Sequence, residues 1–152
     1  DSHVEDEVAG LVSQSELTWL ATALLEYPEK HVAIFVHHPL LPVGCDWLDP
    51  QRVANAEQLL TLFDNTPKLK FVCNGHVHQE FLQDRLHYQL LSTPSTCIQF
   101  KQNSADYAED DFPPGYRRFA LHADGSFDTE VIRVGELVRI AGAPRGYSSD
   151  YD

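Results

Sequence analysis

Residues 69–78, Leu-Lys-Phe-Val-Cys-Asn-Gly-His-Val-His, constrain the fold of this chain more than any other stretch. Residues 69–73 are apolar except for Lys70 and read as a buried strand. Gly75 has no Cβ to clash, so a sharp backbone turn is expected there. His76 and His78 follow two residues apart. In extended chain, positions i and i+2 share a face. Two imidazoles are thus expected together at the end of a strand, the edge where open α/β sheets keep their chemistry. A lone histidine is more often a satisfied surface group. A strand running into Gly-His-x-His is better explained as metal binding.

The residues before it suggest a parallel βα layer. Ser13 and Glu16 fit a capping box, and Leu17, Leu20 and Leu24 recur at helical spacing until Tyr27-Pro28. Residues 31–36 are rich in apolar and β-branched side chains and read as a central strand that runs into His37-His38-Pro39. Asp49-Pro50 is expected to start the next helix, with Val53, Ala56, Leu60 and Phe63 as its buried stripe. The order helix, strand, helix, strand predicts a βαβ unit whose two strands end on one edge.

The second half changes character. Residues 80–83 and 86–91 flank Asp84-Arg85, a hairpin turn in this reading. Residues 96–100 form a further short strand, and 103–115 an exposed acidic, proline-rich loop. Residues 116–123 and 126–134 pair around Asp124-Gly125. The expected fold class is therefore α/β, with parallel βα units followed by antiparallel hairpins. Residues 1–140 form the folded part, and 141–152, rich in Gly, Pro and Ser, a flexible tail.

The net charge of −12 argues against a sequence-independent nucleic-acid binder, which needs cations against phosphates. It leaves room for a small anionic substrate, because bound divalent cations invert the local field. No apolar run approaches the length of a membrane span, so neither nucleic acid nor membrane is expected as a partner. Cys45, Cys73 and Cys97 are odd in number and form no CxxC, which suggests reduced thiols in the cytoplasm. The chain contains no Met; the expectation is that it starts inside a longer protein.

One strand-loop-helix-strand crossover separates His37 from His76, so His37 or His38 should meet His76 and His78. Spacing does not decide between His37 and His38. The first residue after a strand is better held, which favours His37 as ligand and leaves His38 beside the metal or facing substrate. Neutral imidazole suits Zn, Fe, Mn or Co. His31, His87 and His122 flank strands and read as structural, the Asp1-x-His3 pair as chance, and Cys73 as a buried inert thiol.

With these residues in hand, the chain resembles the calcineurin-type metallophosphoesterases. It is most similar to the bacterial class III cyclic-nucleotide phosphodiesterases, which hydrolyse cyclic AMP. The likeness is carried by His37-His38-Pro39-Leu40, Cys73-Asn74-Gly75-His76-Val77-His78-Gln79-Glu80 and Gly44-Cys45-Asp46-Trp47-Leu48-Asp49. It continues in Ser92-Thr93-Pro94-Ser95-Thr96-Cys97-Ile98-Gln99-Phe100, Phe112-Pro113-Pro114-Gly115-Tyr116-Arg117 and the hairpin at Asp124-Gly125. The resemblance implies the C-terminal half of an αββα sandwich. It implies His37 and His76 as ligands of one divalent ion and His78 as ligand of a second, with Fe or Mn favoured and Zn or Co as alternatives.

The family's upstream Gly-Asp and Gly-Asn-His motifs do not occur in this chain, and Asp1-x-His3, read as chance, has no strand in front of it to serve as the family's Asp-x-His. No catalytic residue is therefore assigned within it, and little or no phosphodiesterase activity is expected of it alone. Strands meant for the other half would leave open edges, which predicts self-association or pairing with the N-terminal half. Two other readings stand beside this one. The first is a non-catalytic interaction module of the same fold. The second is a self-sufficient zinc site of His37, His76 and His78.

Overall fold

A computed structural model describes residues 1–135; the tail expected from residue 141 lies outside the described residues. Helix α1 (Gln14–Glu26) starts at the expected capping box. Glu16 N donates to Ser13 Oγ, and Ser13 N donates to Glu16 Oε2. It stops at Tyr27 because Pro28 cannot continue the ladder. Strand β1 (Val32–Val36), helix α2 (Ala56–Asp64) and strand β2 (Leu69–Asn74) follow. Then come β3 (Phe81–Arg85), β4 (Tyr88–Ser92), the short β5 (Gln99–Phe100) and β6 (Glu109–Asp110), and the long hairpin β7 (Gly115–Leu121) and β8 (Phe127–Arg133).

Four strands form one sheet in the order β1-β2-β4-β3. β2 runs parallel to both β1 and β4, and β3 is antiparallel to β4. β2 is buried on both faces, which is why its sequence is a nearly unbroken apolar run. Its even and odd positions point opposite ways. Val72 joins Val53, Leu60 and Phe63 on the α2 side. Phe71 and Cys73 join Leu91, Phe119 and Phe127 on the side of the β7–β8 hairpin. A third cluster, Cys45, Leu48, Val77 and Phe100, seats the loop after β1 against the chain after β2. The mixed architecture agrees with the sequence reading. β1 ends the sheet, and its Phe35 is 65% exposed.

Several local expectations shift. Asp49 does not cap α2; it opens a single 3-10 turn, Asp49–Gln51, and α2 begins at Ala56 after Asn55. The Asp49 carboxylate instead accepts from Val43 N at 2.7 Å, closing the loop before it. The chain between the two is pinned elsewhere: Val53 N donates to Pro39 O and Ala54 N to Gly10 O. The β3–β4 turn falls at Leu86 and His87, not Asp84-Arg85. Only Gln99 and Phe100 of the strand expected over 96–100 are extended and paired, and the loop over 103–115 contains β6.

The displaced turn has a tertiary cause. Arg85, kept in β3, donates Nε and Nη2 to the two Asp64 oxygens at 2.8 and 2.7 Å, and the buried Tyr88 hydroxyl donates to Asp64 at 3.0 Å. The guanidinium of Arg85 holds the Asp64 carboxyl below its usual range. Asp64→Ala is expected to lower stability by about 1–2 kcal/mol, mostly from the stranded Tyr88 hydroxyl. A group with a depressed folded pKa stabilises above its unfolded value and loses that effect as pH falls through the folded one. The gap in urea midpoint between Asp64→Ala and the parent chain should therefore narrow as pH falls from 7 to acid values, as the Arg85 ion pair is lost, but not close, because the protonated carboxyl still accepts from Tyr88.

Candidate metal centre

His37 and His38 leave the end of β1, and His76 and His78 leave the end of β2. The parallel register pairs Val36 with Asn74, so both exits lie on one sheet edge. Gly75 N donates to His37 O at 3.1 Å and ties the two exits together. The crossover therefore brings the histidine-bearing ends of the two strands together on one edge.

The turn is not made as the motif suggests. The left-handed residues are His76 (φ 60°) and His78 (φ 49°), not Gly75. Such a conformation is uncommon for a side chain with a Cβ, and strain of this kind tends to gather at functional sites. It also breaks the expectation that His76 and His78 share a face, since the chain there is not extended. His76 turns toward His37 and His38, with ring centroids 5.2 and 4.8 Å away. His78 turns onto Phe100, stacked at 4.3 Å.

Among the described residues, one group brings three metal-ligating atoms within 4.8 Å of one another: His37, His38 and His76. His37 Nε2 and His76 Nδ1 are 3.2 Å apart. Gln51 Nε2 donates to Trp47 O, so its Oε1 faces His76 and accepts from Nε2–H at 2.9 Å. That bond leaves His76 Nδ1 with its lone pair toward His37. Ser2 Oγ bonds His38 Nδ1 at 2.8 Å; Ser2 is 2% exposed and His38 6%. Gly10 lies flat on the His38 ring, where a Cβ would come within 2.6 Å of Cγ.

Burial, with the neighbouring His38 and His37 rings adding to it, pushes His76 down to about 4. Burial and His37 lower His38 in the same direction, and burial lowers His78. All three are held neutral at physiological pH, the form in which imidazole binds metal. Among the described residues, His78 Nδ1 is buried without a hydrogen-bond partner. A buried ring nitrogen left open in this way fits a metal ion.

The remaining histidines behave as structural groups. His87 Nε2 bonds Thr66 O, His122 bonds Asp128, and His31 packs on Gly125 in the β7–β8 turn. Asp1 Oδ1 accepts from His3 N, its near neighbour. Burial pushes the Cys73 thiol up to about 11, as an inert buried sulfur should be. Ser2, Gly10 and Gln51 escaped the sequence reading. They reach the site by tertiary packing, and no local spacing announces them.

No family model matches this chain. It is 41% identical over 136 residues to the 3',5'-cyclic adenosine monophosphate phosphodiesterase CpdA of Escherichia coli K12, covering 90% of this chain and 50% of that protein. The CpdA of Pseudomonas aeruginosa is 36% identical over 152 residues, covering 100% and 53%. A 3',5'-cyclic-nucleotide phosphodiesterase of Nostoc is 38% identical, covering 88% and 50%. The chain thus spans about half the length of the relatives it matches. Its fold is similar to a dimetal phosphatase from Danio rerio, with a TM-score of 0.53, 21% identity and coverage of 72% of this chain and 35% of that one.

Proposed function

The chain belongs to the CpdA-type family of cyclic-nucleotide phosphodiesterases, of whose members it spans about half, and on that premise we propose that it is part of a metal-dependent phosphodiesterase that hydrolyses 3',5'-cyclic AMP to 5'-AMP. The observation that supports this most is the meeting of imidazoles from two parallel strand ends inside a sequence match covering 90% of the chain. His37 and His76 are the ligands we assign to one divalent ion, and His78, through its unpartnered Nδ1, to a second. Iron or manganese is favoured, with zinc or cobalt as alternatives. When bound, such a pair supplies Lewis acidity and an activated water for in-line attack on phosphorus.

The protein's own part is positional. Gln51 sets the His76 tautomer, and the β1–β2 register fixes the spacing of the two ligand-bearing exits. His38, wedged between Ser2 and Gly10, is left facing the cyclic nucleotide when the other three imidazoles hold ions. The three free cysteines fit a reducing cytoplasmic setting. The open β1 edge with Phe35 is the surface we assign to the other half of the protein or to a second copy. It is also what favours an interaction module as the second reading.

The test is turnover of cyclic AMP with added manganese or iron. This chain alone should show little or none. The same chain joined to the upstream half should be active and lose at least about a hundredfold on His76→Ala. An inactive joined protein would sink the phosphodiesterase reading and leave the interaction module. Robust turnover by this chain alone would sink its assignment as a part.

A further inference from the structure

We infer that this chain by itself holds a single divalent ion through His37, His38 and His76, with His38 and not His78 as the third ligand. Three imidazole nitrogens and an open fourth position make a zinc-type site of the kind that keeps a bound water. The inference concerns this chain's own side chains and does not depend on the parent's substrate.

The distances carry it. Two nitrogens on one tetrahedral zinc, each about 2.0–2.1 Å from the ion, are roughly 3.3 Å apart. His37 Nε2 and His76 Nδ1 stand 3.2 Å apart, and the His38 nitrogen, within 4.8 Å of them, reaches a shared ion by a small inward turn of its ring. In the metal-free form His37 Nε2–H must donate to the His76 lone pair, because His76 gives its own N–H to Gln51. An ion replaces that shared hydrogen, and His37 then carries its one proton on Nδ1. No net proton need be released by this pair.

The surroundings carry it further. Metal-bound histidines typically have the other ring nitrogen fixed by an oxygen partner. His76 has Gln51 Oε1 and His38 has Ser2 Oγ. Both Ser2 and His38 are buried, so this bond is not a solvent-exchanging contact. His78 faces another way, onto Phe100 and a cavity of about 380 Å³ lined by Glu80, Gln99, Asp110 and Arg133. It is placed to serve a second ion only when ligands from outside this chain complete that site.

The experiment is titration of this chain with Zn²⁺ by calorimetry and with Co²⁺ by the visible bands of tetrahedral cobalt. We expect one ion per chain with tetrahedral cobalt bands. His38→Ala and His76→Ala should each weaken binding at least tenfold, Ser2→Ala about tenfold, and His122→Ala, at a surface histidine paired with Asp128, not at all. His38→Gln, which keeps ring-sized volume and polarity, guards against a folding artefact, with far-UV circular dichroism checking each variant. Unchanged affinity in both His38 variants, an equal loss in His122→Ala, or absence of saturable binding would each overturn the inference. None of these outcomes bears on whether the joined protein hydrolyses cyclic AMP, so the two readings fail separately.

Discussion

Phe71→Ala is expected to cost about 3–5 kcal/mol, enough to leave much of the chain unfolded at 37 °C. Phe71 is 1% exposed in the middle of β2. Its ring stacks on Phe119 at 4.5 Å, meets Phe127 at 4.6 Å and takes the edge of Phe35 at 5.6 Å. These rings, with Ala33, Cys73 and Leu91, pack the β7–β8 hairpin on the main sheet. Arg117 Nε adds one bond, to Ser92 O at 2.9 Å. Truncating Phe71 removes buried area and leaves a cavity that flat aromatic neighbours fill poorly. Phe35→Ala removes the same kind of side chain from a largely exposed position on the edge strand. It should cost under about 1 kcal/mol. Urea unfolding of both variants checks the pair. Equal losses would mean that the hairpin does not pack on β2 as described.

How much of this was legible in the sequence depended on whether the deciding contact was local. The capping box of Ser13 and Glu16 is complete within four residues, and α1 starts where it says. The apolar runs of β1 and β2 need no partner to be recognised, and a crossover between them fixes a common edge. Asp49-Pro50 is a real start signal, yet the carboxylate found closer N–H groups at Val43 and Gly44. Asp84-Arg85 looked like a turn because nothing local shows that Arg85 belongs to Asp64 and Tyr88. The candidate site follows the same rule. His37 and His76 were placed together by topology alone. The divergence of His78 comes from two left-handed residues that a Gly-His-x-His spacing does not encode. Ser2 lies 36 positions from His38 and Gln51 lies 25 from His76, and only the folded chain brings them close.

Gly10→Ala should disable the three-imidazole cluster, although residue 10 is in no motif. The glycine is pinned from behind: its carbonyl accepts from Ala54 N at 2.7 Å, and it bridges to Val53, which is fully buried. An added Cβ would sit 2.6 Å from His38 Cγ and 2.7 Å from Nδ1, closer than real contacts allow. The His38 ring cannot retreat, since its far side meets the His37 and His76 rings at 4.9 and 4.8 Å. Either the strap around Gly10 lifts from Val53 or His38 leaves Ser2. Overpacking of this kind costs about 1–3 kcal/mol. Cobalt affinity should fall at least tenfold as the Ser2–His38 bond is lost. Gly75→Ala is the instructive contrast. Gly75 belongs to the motif that dominates the sequence, yet it is outside the left-handed region, and a Cβ there meets His37 Nδ1 at an ordinary 3.5 Å. Its cobalt affinity should stay within about twofold of the parent chain and its urea midpoint nearly unchanged. If Gly75→Ala is the damaging substitution and Gly10→Ala the silent one, the motif glycine makes the turn after all and the Gly10 strap does not press on His38.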